Sequence, residues 1–282
     1  IIGGGIAGLQ AAIQLGRYEH RVLVIDSGYG RSTICRSFHN ILGYPDGVSG
    51  EELRSKGQQH AQQLGIEFMQ DEVVHLEKKK NGIFIVEGKS GKALSAQTLL
   101  IATGLMDRFP NLPGILPCMG LSIYVCPDCD GYEVKNKKTV VIGAGNAGAY
   151  MSKILAYWTD QLIYINHEQT EVKEQLLDDL ARKKIHYMPD SVQEIHAENG
   201  QLHAIELVNG QRIEAEKAFI AFGGNDVKSD FTSSLGVERL ENKHIVTDPR
   251  SKMTNVKNVW AAGDIGDHSD QVTIAMGEGS QA

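Results

Sequence analysis

Two stretches of the chain, "IIGGGIAGLQAAIQLGRYEHRVLVID" and "KTVVIGAGNAGAYMSKILAYWTDQLIYIN", follow a single plan. Each predicts a buried strand, a turn written Gly-x-Gly-x-x-Gly, a helix and a second apolar strand. The glycines are Gly3, Gly5 and Gly8 in the first copy and Gly143, Gly145 and Gly148 in the second. The same 23 positions separate the first glycine of each copy from the residue that closes it, Asp26 or Asn166. The first glycine allows a tight turn, the second lets a pyrophosphate approach the backbone at the helix start, and the third lets helix and strand pack closely. One such motif is weak in a chain with 31 glycines. Two, each in its required strand–turn–helix–strand setting, predict two dinucleotide-binding units.

The copies are not equivalent. Asp26 places a carboxylate where ribose hydroxyls are expected, so its ligand should be an adenine dinucleotide with free 2′-OH groups. The second copy ends in Asn166, His167 and Glu168, and the nearest bases along the chain are Lys173 and Arg182. With no arginine pair for a 2′-phosphate, that unit is expected not to prefer NADPH strongly over NADH. Other segments complete the first unit. "AQTLLIATG" ends a short strand at Ala102, Thr103 and Gly104, and "VKNVWAAGDIGD" ends another at Gly263 and Asp264, a carboxylate suited to ribityl hydroxyls. Gln271, Val272 and Thr273 then open a helix whose amides can face an anionic ring. Taken singly, each segment is only a turn at the end of a strand. Their order predicts an α/β protein of two Rossmann-like dinucleotide-binding domains, the second inserted into the first. Residues 1–108 and 238–282 form the outer domain, and 109–237 the inserted one.

A chain of 282 residues is long enough for two cores. With 28 basic and 35 acidic residues the formal charge is −7, which disfavours nucleic acid as a partner. No run approaches the roughly 18 apolar residues of a membrane helix. The opening "IIGGGIAG" has no initiator Met and begins inside a strand, which predicts residues ahead of it; no basic leader is visible. The four cysteines are too few for a disulfide-stapled secreted scaffold, so a cytoplasmic protein is expected.

Two of those cysteines stand in "YVCPDCDGYE", as Cys126 and Cys129. Zinc needs four ligands, and no second Cys pair or suitably spaced His pair supplies the rest, so no metal is expected. Inert buried thiols are a second reading. The third is redox chemistry: a thiolate must form near neutral pH, and a C-x-x-C at a helix start lowers a cysteine pKa. Pro127 can fix the turn, and Asp130 can serve either as a helix-cap carboxylate or as the acid and base of thiol exchange. Cys35 and Cys118 read as bystanders, and the ten histidines as scattered.

The order of "GGGIAG", "HNILGYPDGVSGEEL", "LLIATG", "CPDCDG", "GAGNAG", "MTNVKNVWAAGDI" and "QVTIAMGEG" resembles the low-molecular-weight thioredoxin reductase family along essentially the whole chain. The resemblance implies FAD in the first domain, NADPH or NADH in the second, a redox disulfide between Cys126 and Cys129, a homodimer, and rotation of one domain against the other. Cys129 would face the flavin, Cys126 would attack the partner's disulfide, and Asp130 would serve both thiols. FAD would lie against Gly3, Gly5, Ile6, Ala7, Gly8, Asp26, Ser27, Asn40, Val73, Ala102, Thr103, Gly104, Gly263, Asp264 and Gln271 to Thr273, Val272 included. The nicotinamide nucleotide would lie against Gly143, Gly145, Asn146, Ala147 and Gly148.

Three departures stand out. "DSGYGRSTICRSFHN" replaces the family's Gly-Gly-Gln run and is closer to a branch of dithiol oxidases and of reductases with other donors. Asn166-His167-Glu168 replaces His-Arg-Arg, and Tyr132-Glu133 replaces an apolar pair. The leading expectation is an FAD-dependent disulfide reductase acting on thioredoxin, another small disulfide protein or a small-molecule disulfide. A dithiol oxidase using O₂, a reductase fed by a donor such as ferredoxin, and a silent FAD-bound sensor or scaffold are the alternatives.

Overall fold

The computed structural model describes residues 1–267 and 270–282. The backbone divides into two compact units, one made of residues 1–33, 50–106 and 226–282, the other of 34–49 and 107–225.

In the first unit Ile2 bridges, in parallel, both Ile25 and Ile101. Strand Leu23–Asp26 pairs on with Glu67–Gln70, and Leu99–Ile101 with Val259–Ala261. The carboxyl ends of these parallel strands therefore gather around the first glycine turn, the usual place for a ligand in such a sheet. Helix Ile6–Arg17 follows that turn, and its small buried residues Ala7, Gly8, Ala11 and Ala12 admit close neighbours. Helix Val272–Gln281 is one of them: a methyl carbon on Gly279 would lie 2.2 Å from Ala7 O, so only glycine fits. An antiparallel sheet of Val73–Lys78, Phe84–Gly88 and Ala93–Ala96 contributes Leu76 and Phe84 to the same core as Ile2, Ile101 and Val259.

The second unit holds a five-stranded parallel sheet in the order His186–Met188, Leu162–Asn166, Thr139–Gly143, Lys217–Ala221, Ile123–Tyr124. Thr139–Gly143 lies in the middle and every residue of it is buried, as expected of a strand covered on both faces. Helix Gly145–Leu155 packs so closely on Leu162–Asn166 that a methyl carbon on Gly148 would meet the Tyr164 ring at 2.2 Å, which is the packing role expected of the third glycine. A second antiparallel sheet, Val192–Glu198, Gln201–Leu207 and Arg212–Glu214, completes the unit.

The units part at 106/107 and 225/226 rather than at 108/109 and 237/238. The reason is a two-residue antiparallel pair, Leu105–Met106 with Asp226–Val227, which ties the segment after 225 to the first unit; Val227 and Val237 are buried in that unit's core. Residues 34–49 also leave the span 1–108 expected for the outer domain. Arg36 N donates to Met119 O at 3.2 Å, and a methyl carbon on Gly120 would meet Arg36 N and Cys35 Sγ at 2.8 Å. Asn40 is therefore an exposed residue of the second unit.

Candidate active site and nucleotide turns

Strand Ile123–Tyr124 delivers the chain to Cys126, which caps the one-turn helix Pro127–Asp130. Its backbone is extended, Pro127 takes the first helical position, where no N–H is needed, and the Cys129 amide donates to Cys126 Sγ at 3.3 Å. That amide is placed to donate equally to a Cys126 thiolate. Both sulfurs are thiols and half-buried, and Asp130 is 7% exposed. Gly131 is required by Trp158, whose ring would lie 2.5 Å from a methyl carbon there.

Behind the pair lies a polar cluster that sequence reasoning missed. Tyr124 is fully buried and donates to Leu121 O at 2.6 Å, while Lys217 Nζ donates to Tyr124 Oη at 2.9 Å and to Leu121 O at 2.8 Å. Burial pushes the Tyr124 phenol up, and Glu133, Asp130 and Cys35 push it the same way. Burial pushes the Lys217 ammonium down, against the opposing pull of Glu133 and Asp130. The Lys217 ammonium would be costly to bury here without these carboxylates nearby. Lys217 stands 93 positions from Tyr124, so no local pattern could announce it. His39 Nδ1 approaches Glu133 Oε1 at 4.0 Å, and its Nε2 meets Ser37 Oγ at 3.1 Å. Cys118 is fully buried, with burial pushing its thiol up, and Cys35 Sγ donates to Ser37 O at 3.3 Å. Among the described residues no group of three His, Cys, Asp or Glu is placed to hold a metal ion.

The first glycine turn has the donor set and the space that a dinucleotide needs. Gly3 adopts φ +102° under the carbonyl of Ala102, and a methyl carbon on Gly8 would strike Gly3 O at 2.0 Å. Gly5 has nothing within 4 Å of where its side chain would be, and the helix behind it has no side-chain cap. In such a turn that is the side from which a pyrophosphate would approach. Asp26 Oδ1 accepts from Gly4 N at 3.0 Å, and Oδ2 accepts from Arg54 at 2.6 Å. A carboxylate has about four acceptor sites, so ribose hydroxyls can still be served. Gly263, at φ +81°, lies against Ala7, its amide donating to Glu278 at 2.9 Å. Asp264 accepts from Arg31 at 3.3 Å, and Asp270 lies 3.0 Å from the same guanidinium. Gln271 is the extended residue ahead of helix Val272–Gln281, with Thr273 exposed on it. Thr103 Oγ1 donates to Lys228 O, Gly104 has φ +60°, Ser27 Oγ donates to Tyr29 O, and Val73 is buried core. Arg54 and Arg31 were not legible as partners of Asp26 and Asp264.

The second turn is built differently. Gly145, not Gly143, carries the positive φ, at +50°, and it is buried. Asn166 is 1% exposed; its Oδ1 accepts from Gly145 N at 2.9 Å, and its Nδ2 donates to Thr170 O at 2.7 Å and Tyr187 Oη at 3.0 Å. Asn146 Oδ1 accepts from Lys173 N at 2.9 Å, and Ala147 lies beside Gly223. One arginine distant in sequence does stand beside this turn, engaged by a carboxylate. Arg108 forks onto Glu168 at 2.8 and 3.0 Å, reaches Gly223 O at 3.1 Å, and lies over the Phe222 ring. It was invisible because it lies 60 positions from Glu168.

The comparisons agree with this geometry. Residues 1–279 match the model of the family described as pyridine nucleotide-disulphide oxidoreductase. A thioredoxin reductase of Treponema pallidum (strain Nichols) is 27% identical over 292 residues, covering 100% of this chain and 93% of that protein. The crystal structure of the oxidoreductase from Agrobacterium tumefaciens is 28% identical at a TM-score of 0.81, covering 100% of this chain and 94% of that one. The thioredoxin reductase of Streptococcus pyogenes MGAS5005, 24% identical and covering the same shares, superposes at a TM-score of 0.88 and shows the two-domain Rossmann-like fold. The chain is a thioredoxin-reductase-like oxidoreductase and belongs to the pyridine nucleotide-disulphide oxidoreductase family.

Proposed function

We propose that this chain is a flavin-dependent disulfide oxidoreductase whose working dithiol is Cys126 and Cys129 and whose favoured partner is thioredoxin or a similar small disulfide protein. The observation that carries the reading is the amide of Cys129 aimed at Cys126 Sγ beside a buried Asp130. A flavin bound at the first turn supplies a two-electron store for this dithiol. Gly5 would leave room for its pyrophosphate in a turn that Gly3 and Gly8 let close, and Asp26 and Asp264 would offer carboxylates to its hydroxyls.

The steps at sulfur follow from the geometry. As a thiolate, Cys126 attacks one sulfur of the partner's disulfide, forming a mixed disulfide and expelling the other sulfur as a thiolate. Asp130 provides the proton that this leaving thiolate takes. Cys129, after losing its proton to the Asp130 carboxylate, attacks Cys126 Sγ; the Cys126–Cys129 disulfide forms, and the second partner sulfur leaves as a thiolate that takes this proton from Asp130. The partner gains two electrons and two protons. Lys217 and Tyr124 hold the strand end from which Cys126 projects. The electron donor that the family name implies is NADPH or NADH, and Thr170 and Glu171 lie over the second glycine of the turn expected to take it. The same sulfur steps run in reverse would oxidise a small dithiol, with O₂ as final acceptor, and the filled second turn favours that second reading.

The protein should purify yellow with FAD; a colourless chain that takes up no added FAD would end the flavin reading. Cys129→Ser, reduced and mixed with thioredoxin disulfide, should accumulate a covalent mixed disulfide through Cys126 on a non-reducing gel, and Cys126→Ser should not. Both should lose disulfide turnover, whereas Cys35→Ser and Cys118→Ser should keep it. Full turnover in Cys126→Ser would overturn the assignment. The resemblance also supports a homodimer, checked by sedimentation, and the small number of cysteines supports a cytoplasmic location. Among the described residues no helix is long and apolar enough to cross a membrane.

A further inference from the structure

We infer that residues 170–173 form a strap that seals the second glycine turn against the pyrophosphate of a dinucleotide. The inference rests on reading that unit as the family's nucleotide-type fold. In such a turn the side of the second glycine that lacks a Cβ is where the pyrophosphate approaches. At Gly145 this space is taken: a methyl carbon there would lie 2.8 Å from Thr170 Oγ1 and 2.9 Å from Glu171 O. Both occupants are oxygens, as the phosphate's own acceptor atoms would be, so the two cannot share the site.

The strap is fastened at both ends and in the middle. Asn166 Nδ2 donates to Thr170 O at 2.7 Å, and Lys173 N donates to Asn146 Oδ1 at 2.9 Å. Between them Val172 is buried in the core with Tyr164, Leu176 and Leu180. Ahead of the strap, Gln169 turns with φ +52°, and the Arg108 fork holds Glu168. Two polar residues beside the turn are also engaged by the protein. Asn166 is buried with both ends of its amide used, and Arg108 has its charge matched by Glu168. The glycines are intact, and the space they would leave for a phosphate is filled by the chain itself.

The test is direct binding of NADH, NADPH and ADP-ribose to the FAD-loaded protein by equilibrium dialysis, which needs no turnover. The wild-type protein should show no saturation below about 1 mM. The double variant Asn146→Ala/Thr170→Gly releases one end of the strap and removes the Thr170 hydroxyl; it should bind ADP-ribose and NADH at least about tenfold tighter than wild type. A loss of folding would not raise affinity, so damage cannot mimic this result. Wild-type saturation below about 100 μM, or a variant no tighter than wild type, overturns the proposal. Mixed-disulfide trapping at Cys126 does not use this turn, so a strap that fails its test leaves the sulfur chemistry standing.

Discussion

The two glycine turns share spacing and supersecondary plan and differ in what lies over the second glycine. Above Gly5 there is open space; above Gly145 lie Thr170 and Glu171. The strand-closing residues show the same division of labour. Asp26 and Asn166 each accept from a backbone amide of their own turn, Gly4 or Gly145. Asp26 remains partly exposed beside Arg54, whereas Asn166 is sealed among protein partners. A dinucleotide fold can thus be kept for its packing, with the ligand's place taken by the chain. The motif records the backbone's shape and does not record whether the space is free.

The sharpest way to break the comparison is to remove the two closing side chains. Asn166→Ala strands the buried Gly145 amide and removes the part-buried bonds to the Thr170 carbonyl and Tyr187 hydroxyl, and an unsatisfied buried group costs about 1–3 kcal/mol before relaxation. A loss of about 2–4 kcal/mol in denaturant stability is expected, with FAD content unchanged. Asp26→Ala should do the reverse, releasing FAD on dilution while the apo protein unfolds close to the wild-type midpoint. Equal FAD loss in both variants would end the proposed asymmetry.

Substituting the second glycines sharpens the contrast with a smaller effect. Gly145→Ala forces a side chain into φ +50° against two oxygens, and such a conformation costs of order 1–3 kcal/mol in stability. Gly5 has φ −75° and ψ −169°, which alanine adopts freely, and its methyl group would meet no protein atom. Gly5→Ala should therefore leave apo stability within about 0.5 kcal/mol of wild type. Its methyl would intrude on the pyrophosphate, weakening FAD binding at least about tenfold, or 1.4 kcal/mol. Calorimetric melting of the apo proteins, paired with FAD titration, separates the two effects.

What could be read in the sequence was whatever repeats locally. Glycine spacing and strand hydrophobicity sufficed to predict two Rossmann-like units, and the Cys-Pro-Asp-Cys run suggested the helix start that Cys126 caps. The unread parts rest on partners distant in sequence. Arg54 on Asp26, Arg31 on Asp264, Arg108 on Glu168 and Lys217 on Tyr124 have no common period or neighbouring motif. The boundaries expected at 108/109 and 237/238 differ from the division at 106/107 and 225/226. The actual division follows the pairing of Leu105–Met106 with Asp226–Val227, strands too short to show alternation. The strap was hidden for another reason: "QTEVK" is polar enough to pass for solvated loop, and only Val172 points to its anchorage.

The smallest expected effect concerns the residue beside the strap. His167 Nδ1 accepts from Val192 N at 2.9 Å, which requires that nitrogen to be unprotonated. Burial pushes the imidazole below its ordinary 6.5, with Glu168 opposing. The unfolded chain therefore takes up a proton near pH 6.5 while the folded chain stays neutral to a lower pH. The unfolded state binds more protons in that interval, so stability falls as pH drops through it and is complete above it. Protonation would also turn the Nδ1 acceptor into a donor facing the Val192 amide, loosening the residues from which the strap departs. Denaturation midpoints measured at about pH 7.5 and 5.5 should fall with acidity in the wild-type protein, and His167→Gln should flatten part of that slope. Among the described residues no histidine is bonded to the first turn in this way, so FAD retention over the same range should follow His167 only weakly. A slope unchanged by the substitution would show that the acid sensitivity lies elsewhere, and that the second turn's closure does not depend on a neutral imidazole.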